Sequence, residues 1–397
     1  MPTSIVRIAK IKLLGSCFKN NSARVLGHDG AYSIPLGDGK VFWSFGDTIL
    51  GPERRGYDPR RIDLDTWLFK DSWAKKNVAM ISNSGLIADA KNISELMYGG
   101  FEYFVHKRTV DEKELVEARE IIPVPERLKH NRKQRTAYWP VDGIVINGKL
   151  YFFYLMVTSV MSVINLYGTG MVRSTFPYET FEKLPNTRLT QTKKLANADE
   201  LPFVWWDNRK DRGREQIAAF GTAVLKNIVD NHIYIYGSKL EHRGDGIVHA
   251  VSLARVKKKN IEDITKYEYL AEAPSKQNDF TPKWSADPQK TASIFDGNAN
   301  ELSVSYNPYL GKYVAIYSYS KRVDENNEIH MRSSNSPAGP WNKPLTIYKP
   351  QGSRRKDSCY AAKEHPEYSE DLGKSIYVTY VSHQRYFPEL LEIGLGE

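Results

Sequence analysis

The sequence predicts an all-β protein built as a five-bladed β-propeller, and three observations carry that reading. Tyrosine (24 residues) and tryptophan (8) are plentiful, while leucine-rich heptads are absent, a balance that favours strands over helices. Five segments read as β-hairpins, with apolar-rich arms around a short Gly, Asn or Asp turn. Three of the five are followed by a similar third strand bearing an arginine, so that the unit recurs at intervals of tens of residues, as a propeller requires. A two-domain β-sandwich would not explain that recurring order.

Taken along the chain, the first hairpin is Ala31 to Phe45, turning at Gly37-Asp38-Gly39. The second runs from Gly143 to Val157 around Asn147-Gly148, and the third from Gly221 to Gly237 around Asp230-Asn231. The fourth spans Leu302 to Tyr319 around Leu310-Gly311-Lys312, and the fifth Glu364 to Val381 around Leu372-Gly373-Lys374. The arginine-bearing third strands are Gly170 to Ser174, Ser252 to Val256 and Ile329 to Ser333, two of them leading into turns that end on Phe181 and Trp341. The last unit has only Leu390 to Leu395 for its third strand and nothing for a fourth. The N-terminal strand, Ile5 to Leu14, fills that gap and closes the ring, which removes an exposed sheet edge. The whole chain, 1–397, thus reads as one domain. Two segments stand outside the repeat as rim insertions: Gly99 to Arg135, with a short helix at Asp111 to Arg119, and Thr190 to Gln216.

Composition narrows the function classes. With 397 residues, 41% hydrophobic and 26% charged, the chain buries a large core, which excludes disordered and fibrous classes. No apolar stretch approaches the roughly 18 to 20 residues of a membrane helix. The N-terminus interrupts its apolar residues with Arg7, Lys10 and Lys12, so it lacks a signal-peptide core. The expectation is a chain that stays inside the cell or has had its export signal removed. Cys17 and Cys359 are far apart and lack metal-ligand spacing, so only a single long-range bridge is open to them. The charge of +9 is spread over separate runs, Lys257 to Lys259 and Arg354 to Lys356, that read as solvated loops rather than a nucleic-acid face.

In a propeller the first strand of each blade lines the central channel, and its first residues emerge at one mouth. Those starts carry Asp29, Asp142, Glu301 and Glu364, four acids in five units. Asp47 joins them by symmetry. Asp29 and Asp47 lie at equal distances from Asp38 at the centre of the first hairpin, which places them opposite one another, about 5 Å apart at Cβ. Paired carboxylates at an open mouth are the machinery of glycoside cleavage, one protonating the leaving oxygen and the other attacking or activating water. The predicted catalytic set is Asp29 and Asp47, with Glu301 as a further acid or modulator. Predicted substrate contacts are His28, Trp139, Asp142, Trp205, Trp206, Asp207, Tyr360, Glu364 and His365; one of Trp139, Trp205 and Trp206 is expected to face the cleft as a stacking platform, core packing being the competing reading for each, and His28 is expected as a packed partner beside the acids. For single Asp-Gly positions, a turn residue bonded to backbone is the competing reading. No Gly-x-Ser-x-Gly elbow, phosphate-binding loop or His-Glu-x-x-His helix is present, and neither a metal site nor a cofactor is predicted.

These residues resemble a known family. Asp29-Gly30-Ala31 through Gly37-Asp38-Gly39-Lys40-Val41-Phe42-Trp43-Ser44-Phe45-Gly46-Asp47-Thr48 is similar to the opening motif of the domain-of-unknown-function 4185 proteins. Asn300 to Pro308, Arg332-Ser333-Ser334 with Gly339-Pro340-Trp341, and Tyr360 to Pro366 resemble its later motifs. The resemblance implies a five-bladed propeller and endo-acting hydrolysis of D-arabinan, with the catalytic pair mapping onto Asp29 and Asp47. Two further readings remain open at this point: a non-catalytic carbohydrate-binding propeller, and a phosphate-dependent phosphorylase on the same fold. In every sugar-directed case the partner is a polysaccharide or oligosaccharide.

Overall fold

The computed structural model describes residues 6–52, 62–63, 68–69, 72–89, 91–110, 112–129, 135–160, 163–186, 201–208, 217–226, 229–243, 246–275, 281–297, 301–319, 328–350, 359–382 and 386–396. The architecture is all-β and antiparallel, and five of its sheets have four or more strands. The first sheet is ordered Tyr32–Gly37, Lys40–Phe45, Ser84–Asp89, Phe101–Tyr103. The second runs Arg135–Ile146, Lys149–Val160, Val163–Thr175, Glu182–Leu184, with Trp206–Asp207 paired to its third strand. The third begins Ala219–Lys226, His232–Arg243, Gly246–Lys257, and the fourth is Leu302–Asn307, Lys312–Tyr319, Glu328–Ser334, Leu345–Tyr348. In the fifth, Cys359–Glu364, Ser375–Ser382 and Pro388–Gly396 are followed by the N-terminal strand Arg7–Ser16, which pairs antiparallel along Pro388–Gly396.

The middle strands are buried on both faces: Lys312–Tyr319 and Ser375–Ser382 are covered at every position but their ends. That is why they read as continuous apolar runs instead of strict alternation. The covering comes from neighbouring sheets. Phe42 packs with Phe152 and Tyr154, Phe153 with Phe220 and Ile235, and Tyr236 with Leu302 and Tyr317. Ile316 packs with Val378 and Leu391, and Trp43 and Phe45 with Tyr377 and Phe387. The fifth sheet therefore meets the first, and hydrogen bonds from Ser33 to His365 (2.6 Å) and from Trp43 Nε1 to the Tyr368 hydroxyl (3.3 Å) tie them.

Three of the five first strands share an irregularity, which Leu302–Asn307 lacks. Register shifts fall at Pro140/Gly143, Phe220/Ala223 and Tyr360/Lys363. At the matching place in the first sheet the ladder stops, and beyond Asp29-Gly30-Ala31 a separate three-stranded sheet of Val25–His28, Thr48–Leu50 and Ala79–Ile81 continues it. Bulges of this kind re-aim side chains. Gly221 shows how tightly the point is specified: its φ is +108°, and a Cβ there would lie 2.3 Å from Phe153.

Two sequence expectations need correction. The helix expected at Asp111 to Arg119 is a strand, Lys113–Ala118, paired with Val105–Val110. Its charged residues suggested a solvated helix. Instead Glu117 is buried and held across the hairpin by Arg108 (2.7 Å) and by Arg24 (2.9 Å), a tertiary demand that overrides helix propensity. The fifth hairpin begins earlier than Glu364: its first strand is Cys359–Glu364, and His365 to Lys374 is a connection with two 3₁₀ turns. Most of Thr190 to Gln216, and Arg354 to Lys356, lie outside the described residues. Cys17 and Cys359 are buried free thiols, not a bridge. Among the described residues no helix is long and apolar enough to cross a membrane.

Candidate active site

The site forms where the first sheet breaks. In the hairpin body Tyr32 faces Ser44 and Pro35 faces Val41, and beyond the break His28 faces Thr48. Between them the Asp29 N–H donates to the Asp47 carbonyl (2.9 Å), while the Asp29 carbonyl accepts from Gly46 N–H (3.0 Å). One residue thus opposes two, the pattern of a bulge, and it sets the two aspartates across from each other. The symmetry about Asp38 depends on a compensation. The turn itself is two-residue, Gly37 facing Lys40, and a shift between Pro35 and Gly37 restores the centre to Asp38. Side chains stitch the gap: Asn83 donates to the Ile122 and Tyr138 carbonyls and accepts from the N–H groups of Ile121 and Ile122.

The two carboxylates have different surroundings. Asp47 is 2% exposed. Both its oxygens accept from Arg135, at 2.7 and 2.5 Å, and Trp139 Nε1 donates to Oδ1 at 3.0 Å. Such a bidentate, charge-assisted fork fixes a carboxylate in place. Asp29 is half-buried and its Oδ1 accepts from the Tyr360 hydroxyl. Burial, then the neighbouring Asp47 and Glu301 charges, push its carboxyl up to about 7, against hydrogen bonds from Tyr360 and Tyr386 that pull it down. Glu301 stands beside it: Oε1 lies 3.2 Å from where a Cβ on Gly30 would be, at φ +56°. Burial raises the Glu301 carboxyl too, and Lys363 opposes the rise.

The remaining predicted residues fall into three groups. Trp139 and Tyr360 reach the aspartates directly. Asp142 is held by backbone, its oxygens accepting from Gly143 N–H (2.8 Å) and from Val224 N–H (2.7 Å) in the next sheet, so the turn-residue alternative describes its bonding. Glu364 is a buried inter-sheet tie, accepting from Ser305 Oγ at 2.6 Å and donating its own N–H to Ser303 Oγ at 2.7 Å. His28 is fully buried against Phe45 with Nε2 on the Tyr103 hydroxyl, and His365 is buried between Ser33 and Thr379. Burial pushes both imidazoles down to about 3, so they are neutral supports. Trp205 and Trp206 are buried, as the core-packing alternative expects: their indoles donate to Leu184 O (2.9 Å) and to the Tyr269 hydroxyl (2.8 Å). Asp207 is exposed on the short strand beside Gly168. Among the described residues no cluster of His, Cys, Asp and Glu could hold a metal ion.

Arg135, Lys363 and Tyr386 were missed. Only Lys363 carried a usable signal: a lone cation inside Cys359–Glu364, a strand whose every other position but one is buried with it.

Fold and site together define an all-β protein that presents a carboxylate pair, one member clamped by Arg135 and the other bonded by the Tyr360 hydroxyl, at a break in its first sheet. The chain belongs to the DUF4185 family, described as a domain of unknown function, whose model matches residues 19–391. No curated protein matches it. Among solved structures it is similar to a "putative hydrolase" from Bacteroides ovatus, with TM-score 0.59 and 15% identity over 95% of this chain and 87% of that one. An endo-arabinase from Bacteroides thetaiotaomicron matches with TM-score 0.46 and 10% identity over 94% and 95% of the two chains. A GH43_1 enzyme from Xanthomonas citri matches with TM-score 0.46 and 14% identity over 97% and 90%.

Proposed function

We propose that the five sheets are the blades of a single propeller domain spanning 1–397, closed by the N-terminal strand, and that the protein is a glycoside hydrolase acting on a polysaccharide. The substrate best supported by the family resemblance is a furanoside polymer such as D-arabinan. One observation carries the reading: two aspartates face each other with environments that push their roles apart. Such a pair marks acid and partner in carboxylate chemistry.

Asp29, at about 7, retains its proton at the pH where most carboxyls have lost theirs. It is the proton donor. As the glycosidic C–O bond breaks, the proton passes from Asp29 to the leaving oxygen, and water supplies the hydroxyl that ends on the anomeric carbon, while the water's remaining proton passes to the Asp29 carboxylate and restores the acid. Asp47, clamped by Arg135 and Trp139, is the fixed carboxylate that faces the positive charge developing on the sugar. Tyr360 holds Asp29 in orientation through its hydroxyl, and Trp139 presents the aromatic surface next to both acids.

The test is incubation of the purified protein with a polysaccharide panel including D-arabinan and arabinogalactan, with and without phosphate, followed by chromatography of released oligosaccharides. Phosphate-independent release is expected from a furanoside polymer. Glycan binding without any turnover would overturn the hydrolase in favour of a binding module, and phosphate-dependent release would replace it with a phosphorylase.

A further inference from the structure

The acids at the mouth outnumber the cations that face them, and the second cation has no place in the chemistry so far. Lys363 is 2% exposed. Its Nζ sits 3.2 Å from the centroid of the Tyr32 ring and donates to the Leu302 carbonyl at 3.1 Å, one residue on from Glu301. It interacts electrostatically with Glu301 and Asp142. Its strand explains how it gets there. In a regular strand, residues three apart point to opposite faces. The shift between Tyr360 and Lys363, with Ala361 at φ +55°, lets one strand send the Tyr360 hydroxyl to Asp29 and the Lys363 ammonium to the Leu302 carbonyl beside Glu301.

We propose that Lys363 is a positioning residue: its ammonium, buried on the Tyr32 ring and bonded to the Leu302 carbonyl beside Glu301, is the cation that Glu301 and Asp142 share at longer range than Arg135 serves Asp47, and it leaves Asp29 as the carboxyl that carries the proton. This rests on the hydrolase reading only for why that proton matters. Among the described residues, the charged and titratable groups around the cluster fall in three sets. Asp29 faces Asp47, Glu301, Tyr360, Tyr386 and Arg135. Lys363 faces Glu301, Asp142 and, more weakly, the neutral His365. Asp142 also faces Glu367, and Tyr32 lies against both Glu301 and Asp142. Burial works against the ammonium and pulls it down to about 7, so Lys363 keeps its charge only through these acids. An ammonium against an aromatic face gains further support from the ring.

Because Asp29 and Glu301 differ in residue type, their carboxyl carbons are labelled separately and titrated by ¹³C NMR in the full chain, with Asp29→Asn and Glu301→Gln spectra for assignment. In Lys363→Met the Glu301 midpoint is expected to rise by about one pH unit or more, and the Asp29 midpoint to fall as the Glu301 charge disappears; Lys363→Arg is expected to restore both. Unmoved midpoints overturn the proposal. If Lys363→Met does not fold, the reciprocal variant decides: in Glu301→Gln the Lys363 ¹³Cε midpoint falls by about one unit or more, and an unchanged midpoint overturns it. None of this needs turnover. A chain inactive on every glycan but showing these shifts would refute the hydrolase and leave the lysine's role standing.

Discussion

Replacing Arg135 with methionine tests the clamp on Asp47. The substitution keeps most of the aliphatic stem and removes both hydrogen bonds to a carboxylate whose side chain is 3% exposed, from an arginine that is itself 16% exposed. Breaking a pair this buried leaves an uncompensated charge and costs about 3–5 kcal/mol. Trp139 donates to Asp47 in wild type and variant alike, so the difference falls on the lost guanidinium. A loss of about 3–5 kcal/mol by urea denaturation at pH 7 is therefore expected. Asp47→Asn strands the arginine instead and costs a similar amount. The double variant Arg135→Met/Asp47→Asn removes both charges, so its loss should fall short of the two single losses added together by about 1 kcal/mol or more. Strict additivity, or a single-variant loss below about 1 kcal/mol, would refute the clamp.

Other consequences follow from the same geometry. Asp29 titrates higher in the folded than in the unfolded chain, so folding binds a proton between about pH 4 and 7, and stability from this group is present at low pH and lost as pH rises through 7. Asp29→Asn should therefore gain stability relative to wild type at pH 8 and show no such gain at pH 4; equal effects at both pH values would contradict it. On a polymer that the protein cleaves, kcat/KM should fall on the alkaline side with a midpoint near 7, and a flat profile to pH 9 would remove Asp29 as donor. Trp206→Phe should cost about 1–3 kcal/mol from lost packing and a lost hydrogen bond while leaving KM unchanged; a raised KM with unchanged stability would restore the platform reading.

Much of the site was legible because hairpin geometry is local. The facing of Asp29 and Asp47 follows from residue counts about Asp38, and it holds because the Pro35–Gly37 shift offsets the two-residue turn. The carboxylates at the strand starts were also visible, yet their uses were not: Asp142 and Glu364 bind groups of the adjoining sheet, a partner no local pattern names. Arg135 stands 88 positions from the aspartate it clamps, and nothing in its surroundings distinguishes it from a surface arginine. Trp205 and Trp206 were ambiguous for a related reason: an aromatic pair in a connecting segment reads equally as a sugar surface or as core, and here Trp206 pairs with the third strand of the second sheet and packs against Phe153 and Phe220.

The most direct test of the central claim is the rate at which wild type, Asp29→Asn and Asp47→Asn release oligosaccharides from the polymer that wild type cleaves, with folding verified by denaturation. A proton donor and a charge-stabilising carboxylate each contribute about 10²–10⁴-fold, so each variant should lose at least about a hundredfold. Either variant retaining activity within about tenfold of wild type would place the chemistry on other residues.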